Sequence, residues 1–217
     1  MKSLYTKVFP SPYSLSRTNW KMALGNPYFP FKAISSLLLL ISIGIFIPHF
    51  FNFIQHRPGV VLNDTFLNLF EPRNVSWLIF PLLYLSLGLT FLNLIPLPEL
   101  FIKAVQAYAL LMLIRIACLY LVPLEPALHY LPLQDPLIGG AFYSQSPITK
   151  DLFFSGHVST MVVICFINPA PALKNILICA TLLVAGLILL QHVHYTIDVI
   201  AAPFFAWISV FLTRKFL

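Results

Sequence analysis

Two short stretches hold most of the side chains in this sequence that could work together as a reactive centre. They are Phe154-Ser155-Gly156-His157 and His194-Tyr195-Thr196-Ile197-Asp198. His194 and Asp198 are four apart, so on a helix they stack on one face and the carboxylate accepts from an imidazole N–H. That bond fixes the tautomer and leaves the other ring nitrogen free and more basic, as a nucleophile requires. His157 follows Ser155-Gly156 at a predicted helix start, where outward-facing backbone N–H groups favour an anion such as phosphate. A nucleophilic imidazole, an orienting carboxylate, a second imidazole and a helix N-terminus together suit phosphoryl transfer through a covalent intermediate. Each piece alone is weak: a histidine at a membrane rim is commonly an interfacial anchor, and an H-x3-D pair arises by chance. A metal reading draws on His192, His194 and Asp198. On one helix, however, His192 and His194 point ~200° apart, which is poor for shared ligation. Neither a metal nor a cofactor is expected.

The rest of the chain must bring these stretches to one place. Of its 217 residues, 59% are hydrophobic and 9% charged, with a mean hydropathy of +0.87. A soluble domain carries about a quarter charged residues, so the composition predicts an all-α, polytopic membrane protein with one spanning domain. No stretch alternates as a barrel strand does, and helices are the remaining way to satisfy the backbone in lipid. Six spans are predicted, over about 33–54, 76–97, 100–122, from near Leu152, from near Ala172, and over 195–213. Two apolar runs joined by Asn168-Pro169-Ala170-Pro171 separate His157 from His194, so a crossing and a return bring both to one membrane face. The domain reading is a basic and aromatic segment over 1–32, lying on the membrane or forming a tail, followed by a spanning catalytic domain over 33–217. No cleavable signal peptide or C-terminal lipidation motif is expected.

The net charge of +6 comes from basic residues scattered beside apolar runs. That pattern excludes a nucleic-acid partner and suits topology signals and anionic lipid. With the N-terminus inside, nine basic residues fall on inner segments: Lys2, Lys7, Arg17, Lys21, Lys32, Lys103, Lys174, Arg214 and Lys215. Four fall on outer ones: Arg57, Arg73, Arg115 and Lys150. Both termini are therefore expected in the cytoplasm, with the site facing periplasm, lumen or exterior. Cys118, Cys165 and Cys179 lie inside apolar runs and read as packing residues. Glu125, Asp135 and Asp151, with Tyr120, Tyr130, Phe142, Tyr143 and Phe153, leave two readings open. They are either a cradle for a cationic head group or solvated loop charges and interfacial rings.

Ser155-Gly156-His157 and His194-Tyr195-Thr196-Ile197-Asp198 resemble the C2 and C3 signatures of the type 2 phosphatidic acid phosphatase (PAP2) superfamily. The form His-Tyr-Thr-Ile-Asp-Val resembles the sphingomyelin synthase branch most. Arg115 and Tyr120 match that branch's Arg-x4-Tyr pattern before a proline-rich loop, and Asp151 fits its approach to the first histidine. The similarity covers about residues 108–210. It implies that His194 attacks phosphorus, that Asp198 holds and charge-balances His194, and that His157 serves as acid and then base. Substrate contacts are expected at Tyr120, Asp151, Ser155 and Gly156, and Arg115, at the outer end of a span, is either a clamp for phosphate oxygens or a snorkelling anchor. The partners implied are a membrane phospholipid donor and a lipid alcohol acceptor such as ceramide or diacylglycerol, or water. The chain departs from ordinary members in two places. The Lys-x6-Arg-Pro signature is missing, and Leu187 and Ile188 stand where those members carry Ser-Arg. Fewer cations suit a singly charged phosphodiester better than a dianionic monoester. On that ground a phosphotransferase acting on a phosphodiester lipid is expected first, and a phosphatase or phospholipase C-type hydrolase second. A non-enzymatic lipid-binding protein with a relic site is the third reading.

Overall fold

The computed structural model describes residues 19–135 and 148–216. Most of the basic and aromatic leader, including Lys2, Lys7 and Arg17, and the loop residues Phe142 and Tyr143 therefore lie outside the described residues. The described chain is helical. A short α1 (Trp20–Leu24) leads into α2 (Tyr28–Gln55), α3 (Ser76–Leu94), α4 (Pro98–Leu121), α5 (Gly156–Ile167), α6 (Pro171–Leu190) and α7 (Thr196–Phe216). Five of these, α2, α3, α4, α6 and α7, are long and apolar enough to cross a membrane. Proline opens α4 and α6 at the first turn, where its missing N–H costs nothing.

The expected boundaries shift most in two places. Residues 28–32, expected to belong to the leader, are the first turn of α2, which runs 28 residues. The fourth predicted span begins not at Leu152 but at Gly156, and it is only 12 residues long, or ~18 Å. Ser155 caps its start, its side chain accepting from the Val158 N–H, and Asn168-Pro169 ends it. Such a helix is too short to cross alone. It is also the most enclosed: α3, α4, α6 and α7 all pack against it, with α7 its principal neighbour. Val158, Met161, Val163 and Ile164 are buried along it. Enclosed by protein, α5 need not match the bilayer thickness. Lipid tails are as apolar as these side chains, so close packing rather than a hydrophobic drive holds α5 in place.

Consecutive bundle helices alternate in direction. The loops after α2, α4 and α6 therefore gather at one end, where they cross-link. Val60 and Leu124 form a parallel bridge. Gly59 lies so close to Leu124 that a Cβ would sit 2.8 Å from its carbonyl carbon. Glutamine 55 donates from Nε2 to Thr149 Oγ1 at 2.8 Å. Gln191, fully buried, accepts from the Val75 N–H at 3.0 Å and donates to Ser76 Oγ at 2.9 Å and Pro132 O at 3.1 Å. At the far end the ties among the described residues are fewer: Trp20 Nε1 donates to Ile95 O at 2.6 Å, Asn93 Nδ2 to Asn168 Oδ1 at 2.9 Å, and Arg214 Nη2 to Phe166 O at 2.7 Å.

Candidate active site

The two sequence stretches meet at the cross-linked end. The Ser155 N–H donates to the Asp198 carbonyl at 3.1 Å, tying the start of α5 directly to the first turn of α7. Phe154 stacks on Phe205 of α7, ring centroids 4.4 Å apart. Such a pair contributes about 0.5–1.5 kcal/mol beyond its burial.

His194 is not on a helix, contrary to the stacked arrangement expected from its spacing. It sits in the turn before α7, and Thr196 is the first helical residue. The pair forms nonetheless: His194 Nδ1 lies 3.3 Å from Asp198 Oδ2, both side chains buried. The same Oδ2 accepts the Tyr195 N–H at 3.2 Å. Asp198 therefore acts as the acidic third residue of α7, reaching back to the N-cap N–H as in a capping box. Asp198 Oδ1 is buried with no partner among the described residues. The carboxylate leaves His194 Nε2 as the nitrogen free for chemistry. His192 shares the turn but not a helix face with His194. Its φ is 55° and its ring packs edge-on to Phe70. Among the described residues no group of histidine, cysteine and carboxylate side chains could hold a metal ion.

His157, at the second position of α5, packs edge-on against Phe80, with centroids 6.0 Å apart. It lies in the electrostatic field of His194, Asp151, Arg115 and Asp135. Arg115, only 4% exposed, projects from α4 against the start of α5. A Cβ on Gly156 would sit 3.0 Å from the Arg115 Cζ, so only glycine lets the guanidinium in this close without adjustment. Arg115 Nη2 donates to Asp151 Oδ1 at 2.5 Å, and the guanidinium lies over the Phe154 ring at 5.7 Å. Its Nη1 is buried without a partner among the described residues. An unpartnered guanidinium nitrogen at the start of a helix has the chemistry to receive an anionic oxygen.

Of the expected site residues, the structure gathers His157, His194, Asp198, Arg115, Asp151, Ser155 and Gly156. Tyr120 is elsewhere. Five residues beyond Arg115, it points ~140° around α4. There it is 56% exposed and stacks on Phe53, with Arg57 over its ring at 5.2 Å.

Two residues that pin the turn were not singled out in the sequence. Asp64, from the loop after α2, accepts the Thr196 N–H at 2.6 Å and the Thr196 hydroxyl at 3.0 Å. It caps α7 from 132 residues away. Burial raises the Asp64 carboxyl pKa, but hydrogen bonds from Thr196, Leu67 and Phe66 outweigh it and hold the group below the usual range. Tyr195, named only as part of the motif, donates its hydroxyl to Glu125 O at 2.9 Å and accepts the Leu62 N–H at 3.2 Å. Asp64 had one local signal, an Asx turn to the Phe66 N–H at 3.0 Å.

Residues 150–215 match the family model described as PAP2 superfamily C-terminal. The match contains both histidine stretches and Asp198, and it supports the PAP2 superfamily for this chain. It also supports an enzyme of the phosphatase or phosphotransferase kind in an apolar, helical, membrane-type architecture. No curated protein and no solved structure matches the chain.

Proposed function

We propose that this protein is a lipid phosphotransferase of the sphingomyelin synthase type. It moves a phospho-head group, phosphocholine or phosphoethanolamine, from a glycerophospholipid to a lipid alcohol such as ceramide or diacylglycerol. The observation that carries the reading is the Ser155–Asp198 hydrogen bond, which joins a helix start bearing His157 to the His194–Asp198 pair. In the first step His194 Nε2 attacks phosphorus. The bond from phosphorus to the glyceryl oxygen breaks, and that oxygen leaves with the electron pair, taking a proton from His157. In the second step His157 removes the proton from the acceptor hydroxyl. The acceptor oxygen attacks phosphorus, and the phosphorus–nitrogen bond breaks, returning its electron pair to His194. Asp198 holds the ring and balances its charge in between. Arg115 Nη1 binds a phosphoryl oxygen through both steps.

Arg115 is already paired with Asp151. One cation half-neutralised by a carboxylate suits a singly charged diester better than a dianionic monoester. The family match equally favours a hydrolase, in which water replaces the lipid alcohol before the same base. The bias of basic residues supports a reading with both termini in the cytoplasm, the site on the opposite face and α5 as the sixth helix of the bundle.

The test incubates purified protein with phosphatidylcholine or phosphatidylethanolamine labelled in the head group, with and without ceramide or diacylglycerol. Label appearing in a new lipid supports transfer. Water-soluble phospho-alcohol alone supports hydrolysis. Full turnover by His194→Ala overturns the mechanism.

A further inference from the structure

A cavity of about 540 Å³ lies between α2, α3, α4 and α5, on the side of the bundle away from the loops. That volume is within the range of small-molecule sites, ~300–1,000 Å³. Its wall is apolar apart from the hydroxyls of Thr90, Tyr108 and Thr160. Two of these hydroxyls mark its upper end. Thr160 is one turn along α5 from His157, and Tyr108 is two turns along α4 from Arg115, on the same face. Tyr108 lies in the electrostatic field of Arg115 and Asp151. One to two helical turns therefore separate the roof of the cavity from the place where phosphate is proposed to bind.

The cavity also has a side opening. α2 packs against α4 and makes no substantial contact with α3. Gly88 and Phe91 of α3 border the cavity there and are exposed. A Cβ built on Gly88 meets nothing within 4 Å. Lipid adjoins this gap in a membrane, and an apolar hollow open to lipid takes hydrocarbon rather than water.

We propose that this cavity is the binding site for one hydrocarbon chain of the lipid whose phosphate reacts at His194, entering between α2 and α3. The proposal rests on the phosphotransferase reading for the identity of that lipid. A chain moving from bilayer to cavity exchanges one apolar surrounding for another and gains almost no hydrophobic free energy. The site therefore selects chains by length and shape, and holds the lipid in register beneath Arg115. The volume has room for one long alkyl chain rather than two, which leaves the second chain in the bilayer.

The test uses the full chain in phosphatidylcholine nanodiscs containing a phosphatidylcholine with a diazirine near the end of one acyl chain. After illumination, labelled peptides are mapped by mass spectrometry. Labels are expected on α3, α4 and α5 at cavity residues such as Phe91, Val105 and Val163. Gly88→Phe fills the opening without a backbone clash and should cut that labelling at least about fivefold, while Gly88→Ala leaves it unchanged. Labels confined to the outer bundle surface, or cavity labelling undiminished in a folded Gly88→Phe protein, overturn the proposal. His194→Ala separates the two ideas. Cavity labelling that persists there sustains the chain site whether or not turnover stops, whereas turnover that persists overturns only the phosphotransferase mechanism.

Discussion

The two ends of the bundle are built on different plans. At one end, polar side chains reach across long sequence separations and hold loops to helices: Asp64 to Thr196, Tyr195 to Glu125, Gln191 to Ser76, Gln55 to Thr149. At the other end the bundle is closed mainly by single ties such as Trp20 to Ile95. The difference teaches where rigidity is needed. The proposed phosphoryl transfer would need its imidazole, carboxylate and cation held to within fractions of an ångström, and loops alone do not supply that. Here the loops are braced until they position side chains as an element would.

The largest effect should come from breaking the pair at the centre of the braced end. Asp198→Asn keeps the shape, removes the negative charge and presents an N–H₂ group to the His194 and Tyr195 donors. Turnover of a labelled phosphodiester lipid should fall by about 10²–10⁴-fold. Unchanged turnover would mean that Asp198 only caps α7. Arg115→Ala should follow, at ~10²–10³-fold. Arg115→Lys should recover little of it, because a point charge cannot hold both Asp151 and a phosphoryl oxygen as the planar fork can.

Asp64→Asn tests the brace itself. It removes one charged acceptor from the N-terminus of α7, a loss of about 1–3 kcal/mol in stability where the bonds are shielded. Turnover should drop roughly tenfold through misplacement of His194, with thermal melting in detergent lowered too. A normal melting curve with normal turnover would show that Asp64 braces nothing. Trp20→Phe, at the loosely tied end, should change turnover less than about twofold. A larger loss would erase the contrast between the ends.

The smallest effect is expected at Glu125. The hydrogen bond from Lys150 Nζ at 2.7 Å holds its carboxyl below the usual carboxylate range, helped by the Gly59 N–H. Because its folded value is depressed, the stabilisation is present above the unfolded pKa of ~4.3 and fades as pH falls through the folded value. The pair is partly exposed, so it contributes no more than ~1 kcal/mol. Melting curves of Glu125→Gln and the parent should differ slightly at pH 7 and converge as the pH falls below the folded value. A difference that grows toward low pH would contradict the assignment.

Much of the candidate site's arrangement could be read from the sequence because its candidate residues are clustered. Ser155, Gly156 and His157 are adjacent, His194 and Asp198 are a turn apart, and Arg115 and Asp151 each carry a type and position with chemical meaning. What could not be read was of two kinds. One was long-range polar pairing. Asp64 and Thr196 are ordinary residues whose meaning appears only when a loop folds over a helix start. The other was the length of α5. Hydropathy reports that a stretch is apolar, not whether lipid or protein covers it, so the enclosed α5 read as a full span. Tyr120 lies apart from Arg115 for a third reason: the spacing Arg-x4-Tyr carries no direction until ~100° per residue is applied around α4.

Gly156 and Arg115 occupy nearly touching volumes, since a methyl group at 156 would stand 3.0 to 3.3 Å from three guanidinium atoms. Gly156→Ala is therefore a wedge that leaves every charge in the molecule intact. It pushes one cation aside by a few tenths of an ångström, and the resulting change in rate would gauge how finely the chemistry is aimed.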